Sequence, residues 1–336
     1  MNNDYIKEKE KLKKALTNLQ LSSDSIGKIK DKLDEHVGFE REKNIFIPQA
    51  KLYLITEGNF WPTKEVICFA SEAGMGKTTF VQKLGEAMGR TTAPISCAGL
   101  EDVDQYSTSL DDSSKPNIVS WVIKEKGCRN PIILFDELEK ATNEQLQQHL
   151  IDLFRKYKEG EEIEDKYFQE KIDLSQVTFF ATVNDKDRLA LRLKSEVSMR
   201  ELEPYNQKEK KEILQKKSEN IHKSYGVAKG TIISEELIKL LPKYIQEAGI
   251  RQEERALYKA EKEYIYTKEK DQAYSVNQDP KKWLSNNVLA FQEEFKVGWK
   301  HRLLFMSLGI NFFFLIGWIF KKFFLKNENS KEETNE

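Results

Sequence analysis

The run Glu65 to Leu84, EVICFASEAGMGKTTFVQKL, holds residue types that grip an anion. Gly74 and Gly76 let the backbone bend inward, so that successive N–H groups of Ala73, Gly74, Met75, Gly76 and Lys77 point at one negative group. Lys77 adds a positive charge and Thr78 a hydroxyl, both at the start of a helix whose dipole already favours phosphate. The spacing fits G-x-x-x-x-G-K-[ST], except that Ser71 stands at the first glycine. The chemistry implied is binding of a nucleoside triphosphate with Mg²⁺, Thr78 serving the metal.

A second stretch, PIILFDE at Pro131 to Glu137, follows about sixty residues later, a separation common between strands of a parallel nucleotide-binding sheet. Asp136 at a strand end can hold the water shell of Mg²⁺ and serve as a metal residue, and Glu137 can orient and deprotonate an attacking water. Asn184 follows a third apolar run, and its amide can hold that water by one hydrogen bond without altering the charge.

Three strands must carry these groups. Val66 to Ala70, Ile132 to Phe135 and Val177 to Ala181 are short apolar runs, as expected of parallel strands covered on both faces. The helix that begins at the glycine-rich turn carries Lys77 and Thr78. The fold class that follows is α/β, a parallel sheet with helices on both faces.

Composition bounds the rest. The 336 residues leave room for two domains and extras, and a net charge of −1 gives no reason to expect a nucleic acid partner. Cys68, Cys97 and Cys128 are scattered without metal-ligand spacing, which points to a reducing compartment. The start, MNNDYIKEKEKLKKAL, is too charged for a signal peptide. Residues 4 to 20 carry Leu12, Ala15, Leu16 and Leu19 on one helical stripe, and Ser22, Ser23 and Asp24 offer caps before a second helix, Ile26 to Glu35.

From that helix end onward the chain resembles the ATPase module of Lon-type AAA+ proteins. The likeness runs through LDEHVGFERE at Leu33 to Glu42, the glycine-rich turn, NPIILFDELEK at Asn130 to Lys140 and DLSQVTFFATVND at Asp173 to Asp185. It continues through QEAGIRQEERAL at Gln246 to Leu257 and SVNQDPKKWL at Ser275 to Leu284. The resemblance implies a P-loop NTPase sheet domain and a small helical lid. In that family the linker backbone, here Val37 and Gly38, borders the adenine. Asn184 takes the sensor-1 position and Arg251 the sensor-2 position, a guanidinium that reaches the γ-phosphate. The nucleotide-binding set becomes Val37, Gly38, Glu72, Ala73, Gly74, Met75, Gly76, Lys77, Thr78, Thr79 and Asp136, with Glu137, Asn184 and Arg251 catalytic. ATP and Mg²⁺ are the implied cofactors, and a homo-oligomeric ring of six is the implied assembly.

Two segments depart from the family pattern. Glu196, in Leu191-Arg192-Leu193-Lys194-Ser195-Glu196, falls where an arginine from a neighbouring subunit is expected. Either Arg192 or Lys194 substitutes, or the contribution is missing and hydrolysis is slow. The loop Gln105 to Asn117, QYSTSLDDSSKPN, is polar where the family grips a polypeptide. Tyr106 or Leu110 faces a pore, or the loop is a solvated connection.

In the expected lid, Ser234 to Gln246 and Arg251 to Asp271 read as helices, the latter with Ala256, Leu257, Ala260 and Tyr264 as its core stripe, and Tyr274 to Val276 has strand character. The family's protease domain is not expected after Leu284. Leu303 to Phe320 has eighteen residues without a charge, flanked by His301, Arg302, Lys321 and Lys322, with Trp299 and Trp318 near its ends. That pattern predicts a membrane span, and Asn311 near its middle hints at association between spans.

The expected organisation is charged N-terminal helices and linker at 1–37, sheet domain at 38–203 and lid at 204–288. A linker at 289–302, a transmembrane helix at 303–325 and a polar tail at 326–336 complete it. The function expected is a membrane-anchored, Lon-like ATPase that hydrolyses ATP to remodel a partner protein, with the ATPase on the cytoplasmic side. A slow nucleotide-gated scaffold that recruits an effector is the alternative. A DNA-transaction ATPase is disfavoured by the span and the charge.

Overall fold

The computed structural model describes residues 3–24, 26–59, 61–100, 105–107, 109–224, 235–269 and 279–289. The predicted membrane span at 303–325 and the strand character at Tyr274 to Val276 lie outside these residues. Among the described residues no helix is long and apolar enough to cross a membrane.

The first part of the chain forms α1 (Asn3–Thr17), α2 (Lys28–Asp34), α3 (Glu40–Ile55), β1 (Val66–Ala70), α4 (Lys77–Met88), β2 (Thr92–Ser96) and α5 (Ile118–Lys126). It continues with β3 (Ile132–Asp136), α6 (Glu144–Glu159), β4 (Glu162–Asp165), β5 (Glu170–Asp173), β6 (Thr178–Val183), α7 (Leu191–Lys194) and β7 (Val197–Glu201). Five strands make one parallel sheet in the order β2-β3-β6-β1-β7. β4 and β5 pair separately as an antiparallel hairpin.

Alternation along the strands builds two cores. Val66 and Cys68 of β1, Ile133 and Phe135 of β3, and Phe179 and Ala181 of β6 face one side, under α1, α5 and α6. Ile67 and Phe69, Ile132 and Leu134, and Phe180 face the other, under α2, α3 and α4. Phe69, Phe80 and Phe180 are each 0% exposed, and burying side chains of this size contributes about 2 kcal/mol apiece. That is enough to seat α4, and with it the glycine-rich turn, firmly on the sheet. Cys68, Cys97 and Cys128 are buried and free.

Because every strand of the sheet runs the same way, the carboxyl ends of β3, β6 and β1, three successive neighbours, lie at one edge. Asp136, Asn184 and the glycine-rich turn follow directly from those ends, the placement at which open α/β sheets bind ligands.

The N-terminal region departs from a simple pair of helices. α1 ends at Thr17, three residues short of the predicted limit, and Leu12 and Ala15 pack into the core beside α5. Residues 18 to 22 then form a strap along the amino edge of the sheet. Arg129 N–H donates to the Asn18 carbonyl (2.8 Å), and Asn130 exchanges two hydrogen bonds with the Gln20 backbone. Gln20 Oε1 accepts from Thr91 N–H (2.9 Å) and its hydroxyl (2.7 Å), and Ser22 N–H donates to the Met88 carbonyl (2.9 Å).

Arg90 lies beneath this edge, 3% exposed. It donates from Nε to the Asn130 carbonyl (2.7 Å), from Nη1 to Thr178 Oγ1 (2.8 Å) and from Nη2 to the carbonyls of Pro131 (3.1 Å) and Gln176 (3.2 Å). The guanidinium stacks 4.9 Å from the Tyr53 ring centre. Burial lowers its pKa, but an arginine keeps its charge at neutral pH. A planar fork is needed to reach four acceptors at once.

The chain divides into two compact units, one of residues 1–216 and 247–254, the other of 217–246 and 255–336. The helices α8 (Gln207–Ser224) and α10 (Arg251–Glu269) each contribute to both, with α9 (Glu235–Tyr244) and α11 (Pro280–Leu284) in the second. These limits differ from the single break expected near 203. In the second unit Leu257, Ala260 and Tyr264 form the buried stripe of α10. Buried Glu261 accepts hydrogen bonds from Ser218 and pairs with His222, both on α8.

Replacing Arg90 with alanine removes four hydrogen bonds, of whose acceptors the Pro131 carbonyl keeps a second donor in the Thr178 N–H, and is expected to cost about 3 kcal/mol. Arg90→Lys should recover only part of that loss, because an ammonium cannot span the set. Urea unfolding of the three proteins measures both effects.

Candidate functional site at the carboxyl edge of the sheet

Lys77 is the first residue of α4 and is 6% exposed. Its Nζ donates to the carbonyls of Ser71 (2.6 Å) and Glu72 (3.0 Å) and to Asn184 Oδ1 (2.9 Å). Burial lowers its pKa to about 8, opposed first by the charge of Glu139 and then by that of Asp136. The ammonium therefore sits inside a ring of oxygens contributed by the ends of β1 and β6.

Gly74 and Gly76 have φ of 87° and 77°, the left-handed region in which glycine is free of strain. Ser71, at the position expected to be glycine, is not among the residues with positive φ. A side chain fits there for that reason, and its hydroxyl lies 3.4 Å from Lys77 Nζ.

Thr78 Oγ1 lies 3.2 Å and 3.3 Å from the two Asp136 carboxylate oxygens, so a hydroxyl and a carboxylate converge as hard oxygen donors. Thr182 adds a hydrogen bond to Asp136 and accepts the Glu137 N–H at 3.0 Å. Glu137 itself has φ 58°, a strained conformation that turns the chain sharply after β3. Its Oε1 accepts from Asn184 Nδ2 (3.0 Å), and Lys140 bonds its Oε2. The Lys140 contact holds the Glu137 carboxyl below the usual carboxylate range.

Arg251 opens α10, and its Cα and Cβ crowd Gly74. Ile250 N–H donates to the Gly74 carbonyl (3.3 Å), and a Cβ on Gly249 would stand 2.6 Å from the Ala73 carbonyl oxygen. The Arg251 side chain is exposed, and its charge is felt at Glu137. The linker also reaches the turn. His36 Nε2 meets the Gly76 carbonyl at 3.3 Å, with Val37 half-buried and Gly38 buried beside it. Burial lowers His36 to about 4, so it is neutral at physiological pH. Tyr205 closes the same side, its hydroxyl donating to the Met75 carbonyl at 2.7 Å and its ring against Gly38. A cavity of about 380 Å³ opens beside Ser71, Glu72, Met75, Asn184, Leu202 and Ala248.

The structure thus brings together the residues read as phosphate, metal, base and water-holding groups. Glu72 and Thr79 turn their side chains to solvent, so only the Glu72 backbone enters the cluster. Sequence reasoning missed Thr182, Glu139, Lys140, His36 and Tyr205. Of these, only Glu139 and Lys140 had a visible signal, as charged residues just past the strand-end acid pair.

Residues 67–204 match the ATPase family associated with various cellular activities, AAA. The AAA match runs from the second residue of β1 through β7 and includes every strand-end residue of the site.

Similar curated proteins are Lon proteases. That of Fusobacterium nucleatum is 28% identical over 57% of this chain, and that of Helicobacter pylori is 30% identical over 57%. Lon protease 4 of Sorangium cellulosum is 28% identical over 70%. The matched stretches make up 26%, 24% and 30% of those relatives' lengths. Among solved structures, a point variant of Thermotoga maritima RuvB shares the fold, with a TM-score of 0.50 and 17% identity over 70% of this chain and 66% of that one.

The two departures are also resolved in shape. Glu196 is buried, which by itself would raise its pKa, but bonds from Lys158 and from Arg155 Nε (2.9 Å) outweigh burial and hold its carboxyl low. Arg192 is exposed and Lys194 half-buried on α7. Tyr106 is turned into the core, its ring 4.7 Å from Trp121, and Leu110 packs against the same core. Tyr106 is therefore not presented outward, while Gln105, Ser109, Asp111, Ser113 and Ser114 are exposed. Asn117 N–H is tied to Asp165 of the hairpin at 2.8 Å.

Lys77 gives a pH signature. Below about pH 8 the folded and unfolded chains both carry its proton, and the folded chain bears the full desolvation cost. Above that, up to the ordinary value of 10.5, the folded chain releases the proton first, so stability rises with pH. Without nucleotide, wild type should gain stability relative to Lys77→Met between about pH 7 and about pH 9.5. A flat or falling difference in urea titrations would contradict this environment for Lys77.

Proposed function

We propose that this chain is an ATP hydrolase, acting through a homo-oligomeric ring on a partner protein at a membrane surface. The observation that carries the reading is the single chain of contacts from Lys77 through Asn184 to Glu137, beside the Thr78 and Asp136 pair.

In this reading the turn from Ala73 to Lys77 receives the phosphates, with Lys77 and Arg251 neutralising charge on them. Thr78 and Asp136 supply the oxygens that suit Mg²⁺, which retains several waters in such sites. Bound Mg²⁺ would supply charge neutralisation between the phosphates. Glu137, ionised at neutral pH, accepts a proton from the attacking water, and Asn184 holds that water against it. The linker at Val37 and Gly38 borders the base. Ring assembly and the protein client rest on likeness to the AAA and Lon relatives. Attachment to lipid rests on the uncharged run at Leu303 to Phe320.

One observation favours a second reading, a slow nucleotide-gated switch. Glu196 is locked by Arg155 and Lys158 where a charge-stabilising arginine was expected. A remodelling enzyme should hydrolyse faster when given an unfolded polypeptide, and a switch should not.

The 336-residue chain in detergent is expected to bind ATP by calorimetry and to release phosphate. Glu137→Gln should keep binding and lose at least about 100-fold of turnover. Equal turnover in the two proteins would remove Glu137 as the base.

The 336-residue chain should also remain with membranes after an alkaline carbonate wash, and a chain stopped at residue 302 should be released. Recovery of the 336-residue chain in the wash would remove the anchor.

A further inference from the structure

Glu139 follows Glu137 by two residues, in a short helical turn, Leu138–Lys140, and hydrolysis as described gives it nothing beyond its charge near Lys77. Its Oε1 accepts the peptide N–H of Asn184 at 3.1 Å. Its Oε2 is buried with no hydrogen-bond partner among the described residues. A contact kept for stability alone would satisfy both oxygens, since an orphaned buried acceptor is destabilising.

Asn184 is thereby held at three points. Its peptide N–H meets Glu139, its Nδ2 donates to Glu137 and its Oδ1 accepts from Lys77. The two side-chain contacts fix which end of the amide faces which partner, because an ammonium only donates and a carboxylate only accepts. Either contact would be given up if Lys77 or Glu137 turned to a substrate. The Glu139 bond is to the main chain and is independent of them.

We infer that Glu139 is a positioning residue for hydrolysis, anchoring the Asn184 backbone so that the amide keeps its place while its side-chain partners turn to the reacting groups. The inference rests on the hydrolytic reading of the site.

Small misplacements of a water-holding group cost rate more than affinity. Glu139→Ala is expected to lower kcat about tenfold to 100-fold, with KM and nucleotide affinity within about twofold of wild type. Glu139→Gln keeps an oxygen for the Asn184 N–H without the charge and should recover most of the rate. Glu139→Asp keeps the charge but withdraws the oxygen, and should behave like alanine. If the alanine variant does not fold, the Asp and Gln pair carries the comparison. In an Asn184→Ala background, Glu139→Ala or Glu139→Asp should cause no further loss.

Additive losses in that background, a change in KM with kcat intact, or rescue by Asp and not by Gln would each overturn the inference. Wild-type protein that hydrolyses no ATP would instead overturn the hydrolytic reading itself.

Discussion

A buried ammonium group governs this site. Lys77 is taken out of water at the base of a glycine-rich turn, and the cost of doing so is offset by two main-chain carbonyls and an amide oxygen. Those acceptors come from the turn after β1 and from the residue after β6. The lysine can be satisfied only if the two strands are neighbours and run in the same direction. The sheet topology is thus a requirement of one side chain as much as a product of hydrophobic alternation.

The strands were legible because their signal is local. β1 occupies the predicted Val66 to Ala70, β3 extends the predicted run only to include Asp136, and β6 is displaced toward Asn184 because Thr182 and Val183 remain buried. Lys77, Thr78, Asp136 and Glu137 were readable from type and spacing, and Asn184 with the help of the family resemblance. Tyr205 and His36 were not, since their contacts are to carbonyls of the turn, far away in the chain, and any residue has a carbonyl. Arg90 was invisible for a related reason. Its partners are mostly backbone oxygens, and nothing in composition marks an arginine as buried.

The two segments that depart from the family pattern fall on opposite sides of the same principle. Glu196 is an acid made acceptable in a buried place by two cations from α6, so it serves to join that helix to the chain leading into β7. The loop between β2 and α5 looks solvated by composition, yet Tyr106 escapes inward and Asn117 caps α5 while tied to the hairpin. Individual side chains in a polar sequence find buried partners of this kind, which composition does not register.

The strap at residues 18 to 22 bears on how this protein can be dissected. A recombinant fragment designed to begin just before the linker, near residue 35, would retain every group discussed for nucleotide chemistry. It would also strip the cover from Thr91, Asn130 and Met88 at the opposite rim, leaving bare amides and carbonyls beside an apolar interior. Such a fragment invites edge-to-edge clumping, and an inactive preparation of it would speak to damaged architecture and not to chemistry.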